Sequence, residues 1–361
     1  MRKYEEVLER IRARPSTWLI TGVAGFIGSN LLETLLKLGQ TVVGLDNLSQ
    51  DNRGNMLEVK GAVTESQWRN FRFILGDIHS LDTCRQACRS VGFILHQAAL
   101  GNSQRSIENP IIANRSNVTG LLNMLVAAHG AGVRSFVYAS TSSIYGDHAQ
   151  TAVIESEIGH PQSPFALTKY VDELYADMFA RCYGFASVGL RYFSVFGPRQ
   201  DPNGPEGPVI PAWVVGMIRG EPTFINGDGK TVRDFCYVDD VVQANLLAAT
   251  TDDAAAVGQI YNVAMSKATS LNELFQTIRA LLEPRYPRLS QLRPSYREFR
   301  NGDVQLPVGN IDKAKRLLGY EPAWDLRRGL ERTIEWLGAK LARRPAIDGP
   351  LPMLRPALGK S

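Results

Sequence analysis

A doubly wound parallel α/β sheet with a smaller C-terminal region is the fold class this sequence predicts, and three observations carry it. A short apolar run at residues 18–21 passes through Gly22, Gly25 and Gly28 into an amphipathic helical pattern, then into a second apolar run ending at Asp46. Further apolar runs at 71–75, 91–95 and 135–139 alternate with helical patterns, and each ends in a short polar or small-residue segment. Near Phe196 the alternation gives way to a stretch dense in Gly and Pro that runs to Pro208. Strand and helix in strict alternation imply parallel strands, because parallel neighbours need a crossover between them.

The elements follow in order. Residues 1–17 form a charged helical pattern without the apolar centre of a secretion signal. After the strand at 18–21, Gly22 permits a sharp turn, Gly25 lets backbone N–H groups approach a pyrophosphate, and Gly28 lets the helix pack close to the sheet. Such a loop places a pyrophosphate at the positive end of a helix, so Gly22, Gly25, Phe26, Ile27 and Gly28 are candidate cofactor contacts. Asp46, with Asn47 beside it, ends the second strand about 18 residues beyond Gly28, where a carboxylate accepts from a ribose diol and repels a 2′-phosphate. NAD is therefore expected rather than NADP. The segments Gly76-Asp77-Ile78, His96-Gln97-Ala98-Ala99 and Ser140-Thr141-Ser142-Ser143 lie at the carboxyl ends of strands and should line the ligand crevice. Asp77 suits the adenine amino group and Ile78 its face, while His96 reads as a structural strand-end residue.

Four regions are expected: an N-terminal helix at 1–17, a Rossmann-like NAD-binding domain at 18–196, a substrate-binding region at 197–340 interleaved with the sheet, and a mobile tail at 341–361. At 361 residues, 44% hydrophobic and 21% charged, the chain can bury a large core. A dispersed net charge of +4 gives no argument for nucleic acid. No apolar run reaches the roughly 18 residues of a membrane span, which favours a cytoplasmic setting. Cys84 and Cys88 lie one helical turn apart, Cys182 and Cys236 stand alone, and no zinc spacing occurs. No metal is expected.

The glycine loop, Gly76-Asp77-Ile78, His96-Gln97-Ala98-Ala99, Asn117-Val118-Thr119-Gly120, the segment 141–146, Lys169, Arg191-Tyr192-Phe193 and Arg233-Asp234-Phe235 together resemble the extended short-chain dehydrogenase/reductase superfamily, in its NAD-dependent epimerase/dehydratase branch. The likeness covers about residues 4–335. It is particularly close to bacterial UDP-N-acetylglucosamine 4-epimerases through Lys3-Tyr4-Glu5-Glu6, Gln67-Trp68, the segment 224–229 and Arg300-Asn301-Gly302-Asp303. The resemblance implies tightly held NAD, a UDP-sugar substrate, a transient 4-keto sugar and a homodimer built on helices near 119–129 and 169–183. It also implies cofactor contacts at Gln97, Ala98, Ala99, Asn117, Lys169 and Tyr192. For the substrate it implies Ser103, Arg105, Ser194, Val209, Trp213, Asn226, Arg233, Arg300 and Asp303. The two arginines suit a diphosphate, and Asp303 a ribose hydroxyl.

The same resemblance implies a Tyr and a Lys four residues apart on one helix, with Thr141 and Ser143 as nearby hydroxyls. Lys169 matches the lysine, but the tyrosine position holds Phe165, which has no proton to exchange. Loss of a positioned acid/base costs about 10² to 10⁴ in rate. Other departures gather on the sugar side: Ser194 stands where the family has Asn, Gln305 where it has Arg, Pro307 at the sugar gate, and residues 101–106 differ from the usual loop. Ser142 and Ser143 occupy positions where dehydratases and decarboxylases carry a carboxylate, which ranks those reactions lower. A 4-epimerase-like enzyme is expected. The alternatives are an NAD and UDP-sugar binding protein of impaired catalysis, or a different nucleotide-sugar reaction such as dehydration or uronate epimerisation.

Overall fold

The computed structural model describes residues 3–50, 52–148, 152–202, 208–298 and 308–342. Seven parallel strands form the central sheet: β1 (Thr17–Thr21), β2 (Thr41–Asp46), β3 (Phe71–Leu75), β4 (Phe93–His96), β5 (Ser135–Thr141), β6 (Val188–Tyr192) and β7 (Ile260–Val263). Their order is β7-β6-β5-β4-β1-β2-β3, with β1 bonded to β2 on one side and β4 on the other. The chain winds outward from β1 to β3, then returns to lay β4 on the opposite side. That reversal opens a crevice at the carboxyl ends of β1 and β4.

The strands are apolar on both faces because helices cover both, as parallel sheets require. Alternate residues feed two separate cores. Ile20, Leu95 and Val137 pack with Leu31, Leu32, Leu35 and Leu36 of the helix Phe26–Lys37, whereas Leu19, Ile94 and Phe136 pack with Leu121, Leu125 and Phe179. Burying a leucine or isoleucine of this kind stabilises by about 1.5–3 kcal/mol.

The third core holds Trp213, Val214, Leu274, Phe275, Ile278, Leu330 and Leu337, brought together by the helices Val209–Arg219, Leu271–Leu282 and Leu326–Ala342. The part of the chain beyond Phe196 also supplies β7, which pairs with β6, and the helix Val238–Ala249, which packs on Phe26–Lys37. The N-terminal helix Lys3–Ala13 buries Val7 and Ile11 and donates from Arg10 to the Thr250 carbonyl at 2.6 Å.

Three strands differ in their limits from the apolar runs, β1 only by starting one residue earlier, at Thr17. β4 runs from Phe93 to His96, because the Val91 N–H is still bonded to the Cys88 carbonyl in the turn that follows the preceding helix. β5 continues to Thr141, which becomes the last residue of its strand. Among the described residues no helix is long and apolar enough to cross a membrane and no cluster could hold a metal ion. The four cysteines are free, and Cys182 alone is exposed. Most of the tail at 341–361 lies outside the described residues.

Candidate active site

The glycine turn sits at the mouth of the crevice. Gly22 has φ +67°, and a Cβ there would meet the Ala98 nitrogen at 2.8 Å, so the turn after β1 lies against the segment after β4. Gly28 is tighter still: a Cβ on it would stand 2.1 Å from the Gly22 carbonyl oxygen and 2.9 Å from the Val23 Cα. Gly28 therefore packs the helix against its own entry turn rather than the sheet. Gly25, in extended conformation, precedes the helix start at Phe26, and Ile27 follows, both half-buried.

Asp46, at the end of the neighbouring strand β2, secures the loop. Its carboxylate accepts from the Ala24 N–H at 3.0 Å and the Leu48 N–H at 2.8 Å. Burial pushes this carboxyl upward, against the pull of those amides. Asn47 donates to Asp77 at 2.7 Å, and Asp77 also meets the His79 ring at 2.6 Å. Together Gly22, Gly25, Asp46, Asn47, Asp77, Ile78, Gln97, Ala98 and Ala99 line one pocket. Its side-chain-free glycine floor fits a pyrophosphate, and its carboxylate fits a ribose diol.

Deeper in, His96 bonds through Nδ1 to Thr21 Oγ1 at 2.8 Å; burial, with Lys169 adding to it, pushes its pKa down to about 3. A neutral, enclosed imidazole is structural, not a base. Tyr192 donates to Gln97 at 3.1 Å and accepts from Asn245 at 2.8 Å, while Gln97 donates to Asn245 at 3.1 Å. These three polar groups satisfy one another below the crevice.

On the next strand end, Thr141 Oγ1 donates to Ser143 Oγ at 3.1 Å and accepts the Ser143 N–H. The long helix Pro164–Tyr183 begins with Ser163 capping the Ala166 N–H and proline in its first turn. Phe165 and Lys169 lie one turn apart on it. Lys169 is buried and donates to equally buried Asp172 at 2.6 Å. Burial pushes the Asp172 carboxyl up to about 6, although Lys169 pulls it down. Beside this pair, Glu173 holds Arg191 through both carboxylate oxygens at 2.9 and 2.7 Å, and Arg191 donates to the Tyr145 hydroxyl. Tyr145 donates to Asn262 at 2.6 Å, and burial pushes its pKa up to about 12. It is no substitute base.

Asn117 lies in a π-helical turn, Arg115–Thr119, a distortion that often marks functional sites. Its side chain accepts from the Leu100 N–H at 2.7 Å and donates to Thr168 at 2.9 Å, and Thr168 donates to the Phe165 carbonyl. Ser106 accepts the Phe165 N–H at 3.0 Å, and Ser103 meets Ser163 at 3.4 Å. The 103–108 helix is thus joined to the start of the Phe165 helix. Arg105 is exposed and donates to Gln50 at 3.0 Å, toward the adenosine side.

The substrate-side candidates are more scattered. Ser194 begins a short strand, Ser194–Phe196, paired with Phe235–Tyr237. Arg233 ends Val232–Arg233, and neighbouring Asp234 accepts the Met265 and Gly309 N–H groups, fixing that segment. Asn226 ends Phe224–Asn226, and Val209 opens its helix half-buried. Trp213 lies in the third core: its ring packs on Phe275 and its N–H donates to the Phe224 carbonyl. Arg300, Asp303, Gln305 and Pro307 lie outside the described residues. Sequence reading missed Asp172, although a carboxylate three residues after a lysine on a helix is a pairing signal. Nothing in the spacing marked Glu173 with Arg191, or Gln97 with Asn245.

This order of strands and this glycine turn define a dinucleotide-dependent protein of the extended short-chain dehydrogenase/reductase type. Residues 18–264 match the NAD dependent epimerase/dehydratase family, and the chain belongs to it; NAD is its cofactor. It is 34% identical over 324 residues to a UDP-glucose 4-epimerase of Mycolicibacterium smegmatis, covering 89% of this chain and 98% of that one. A UDP-N-acetylglucosamine 4-epimerase from Methanobrevibacter ruminantium M1, solved in complex with UDP-N-acetylmuramic acid, superposes with a TM-score of 0.81 at 30% identity, over 91% of this chain and 99% of that chain. A tyrosine-to-phenylalanine mutant of a UDP-glucuronic acid 4-epimerase from Bacillus cereus, solved with UDP-4-deoxy-4-fluoro-glucuronic acid and NAD, superposes at 0.79 with 27% identity, covering 90% and 99%.

Proposed function

We propose that this chain is a UDP-sugar 4-epimerase-like enzyme, with UDP-N-acetylglucosamine and UDP-N-acetylgalactosamine as the first substrate pair to test and Phe165 in the place of the acid/base tyrosine. The observation that carries the reading is the buried Lys169, one helical turn from Phe165 and on the helix fastened to the crevice by Asn117. When bound, NAD supplies a reversible hydride acceptor. Gly22, Gly25, Asp46, Asp77 and Gln97 would hold it, and the chain's own groups must manage the C4 hydroxyl proton. Thr141 and Ser143 form a hydroxyl pair at 3.1 Å able to pass a proton. Without a phenol, any turnover should run about 10² to 10⁴ more slowly than with a positioned base.

A second reading, NAD and UDP-sugar binding without turnover, draws support from the Bacillus cereus mutant, whose structure contains both ligand types. In either case a homodimer is expected. Val126 on Gly120–Gly130, Leu167 and Leu174 on Pro164–Tyr183, and Ile111 beside them are exposed, Ile111 by 79%. The expected setting is cytoplasmic synthesis of polysaccharide precursors.

The test is to incubate the protein and a Phe165→Tyr variant with UDP-N-acetylglucosamine, following C4 inversion by proton NMR and absorbance near 340 nm. Phe165→Tyr should accelerate inversion by roughly 10² or more. Equal rates would place the proton path away from residue 165, and silence from both with sugar nucleotide still bound would leave the binding reading.

A further inference from the structure

We propose that Asp172 is a positioning residue that holds the Lys169 ammonium in a neutral, buried ion pair, so that a phenol placed at residue 165 lacks the net positive neighbour it needs. The inference rests on the reading that Lys169 serves the acid–base site. Lys169 and Asp172 are 3% and 0% exposed and 2.6 Å apart, which removes the solvent screening that would weaken the carboxylate's field. The other Asp172 oxygen, Oδ1, is buried without a hydrogen-bond partner.

Among the described residues, the charged groups that act on Asp172 are Lys169 and Glu173. Across the helix, Arg191 is committed to Glu173 through two bonds. From the sheet side, His96 on β4 is neutral, its pKa pushed down to about 3 by burial and by Lys169. Tyr138 on β5 is a buried neutral phenol, raised by burial and by Glu173 and Asp172, lowered in part by Arg191, and raised further by Asp177 one turn on. Lys169 with Asp172, and Arg191 with Glu173, sum to zero charge. A cation about 4–6 Å from an acid lowers its pKa by roughly 1–3, and a carboxylate bonded to that same cation opposes it.

The consequence is that restoring the phenol alone restores only part of the chemistry. The experiment compares NAD-loaded Phe165→Tyr with Phe165→Tyr/Asp172→Asn, both labelled with ¹³Cζ-tyrosine, identifying the added phenol by difference from the parent protein. Its ¹³C shift is followed against pH. The phenol should titrate about one pH unit or more lower in the double variant. If inversion of UDP-N-acetylglucosamine is measurable, the acid limb of its pH profile should move the same way. Identical phenol titration in both variants overturns the proposal, as does a lower melting temperature for Asp172→Asn with no movement of the phenol. Asp172→Ser removes the same charge should the amide not fold. A phenol that moves while no variant inverts C4 supports the pairing and overturns the epimerase reading instead.

Discussion

The two halves of the crevice are built to different standards of completeness. On the cofactor side, backbone geometry does the work: Gly22 and Gly28 leave no room for a side chain, and Asp46 ties the loop with two amide hydrogen bonds. On the side we propose for proton transfer, side chains must do the work, and there Phe165 stands one helical turn from Lys169, which is bonded to Asp172. A site fixed by sterics tolerates almost no substitution. One fixed by the electrostatics of a few side chains can change chemistry through one ring oxygen or one carboxylate, leaving the fold untouched.

The sharpest way to break that contrast is Gly28→Val. Its side chain would enter the Gly22 carbonyl, costing about 1–3 kcal/mol, and dinucleotide affinity should fall roughly ten- to hundredfold. NAD content after purification reads this directly, and wild-type content would show that the helix start is not the rigid cradle described. A smaller effect is expected from Asp46→Ala. Loss of both amide bonds should lower stability by about 1–3 kcal/mol. Calorimetric titration should find the preference for NAD over NADP reduced, since a carboxylate no longer faces a 2′-phosphate. An unchanged preference would move the discrimination elsewhere. The mildest is Leu174→Glu on the exposed face of the long helix. Because Leu174 is half-exposed, monomer stability should change by no more than about 0.5 kcal/mol, while sedimentation should show a shift from dimer to monomer. A species of unchanged mass would remove this face from the interface.

Much of the fold was legible because its signals are local. Glycines at positive φ, apolar runs covered on both faces and polar strand ends all arise within a few residues of each other, and the order of strands follows once the alternation is seen. The crevice was readable for the same reason. The groups proposed for proton transfer were less so. Lys169 was visible, but whether a lysine reaches outward or folds back onto the residue three positions later depends on what surrounds it. Glu173 and Arg191 meet only after the chain has passed from helix to strand, and Trp213 looks alike as a ligand platform or a core ring until Phe275 arrives from a distant helix.

The widened turn at Arg115–Thr119 has a mechanical meaning. By gripping Leu100 with one end and Thr168 with the other, Asn117 makes the segment after β4 and the first turn of the Phe165 helix move as one body. Whatever settles against Gln97, Ala98 and Ala99 should therefore slow hydrogen exchange of the amides at 166–169, a report of occupancy carried to the opposite wall before any sugar arrives.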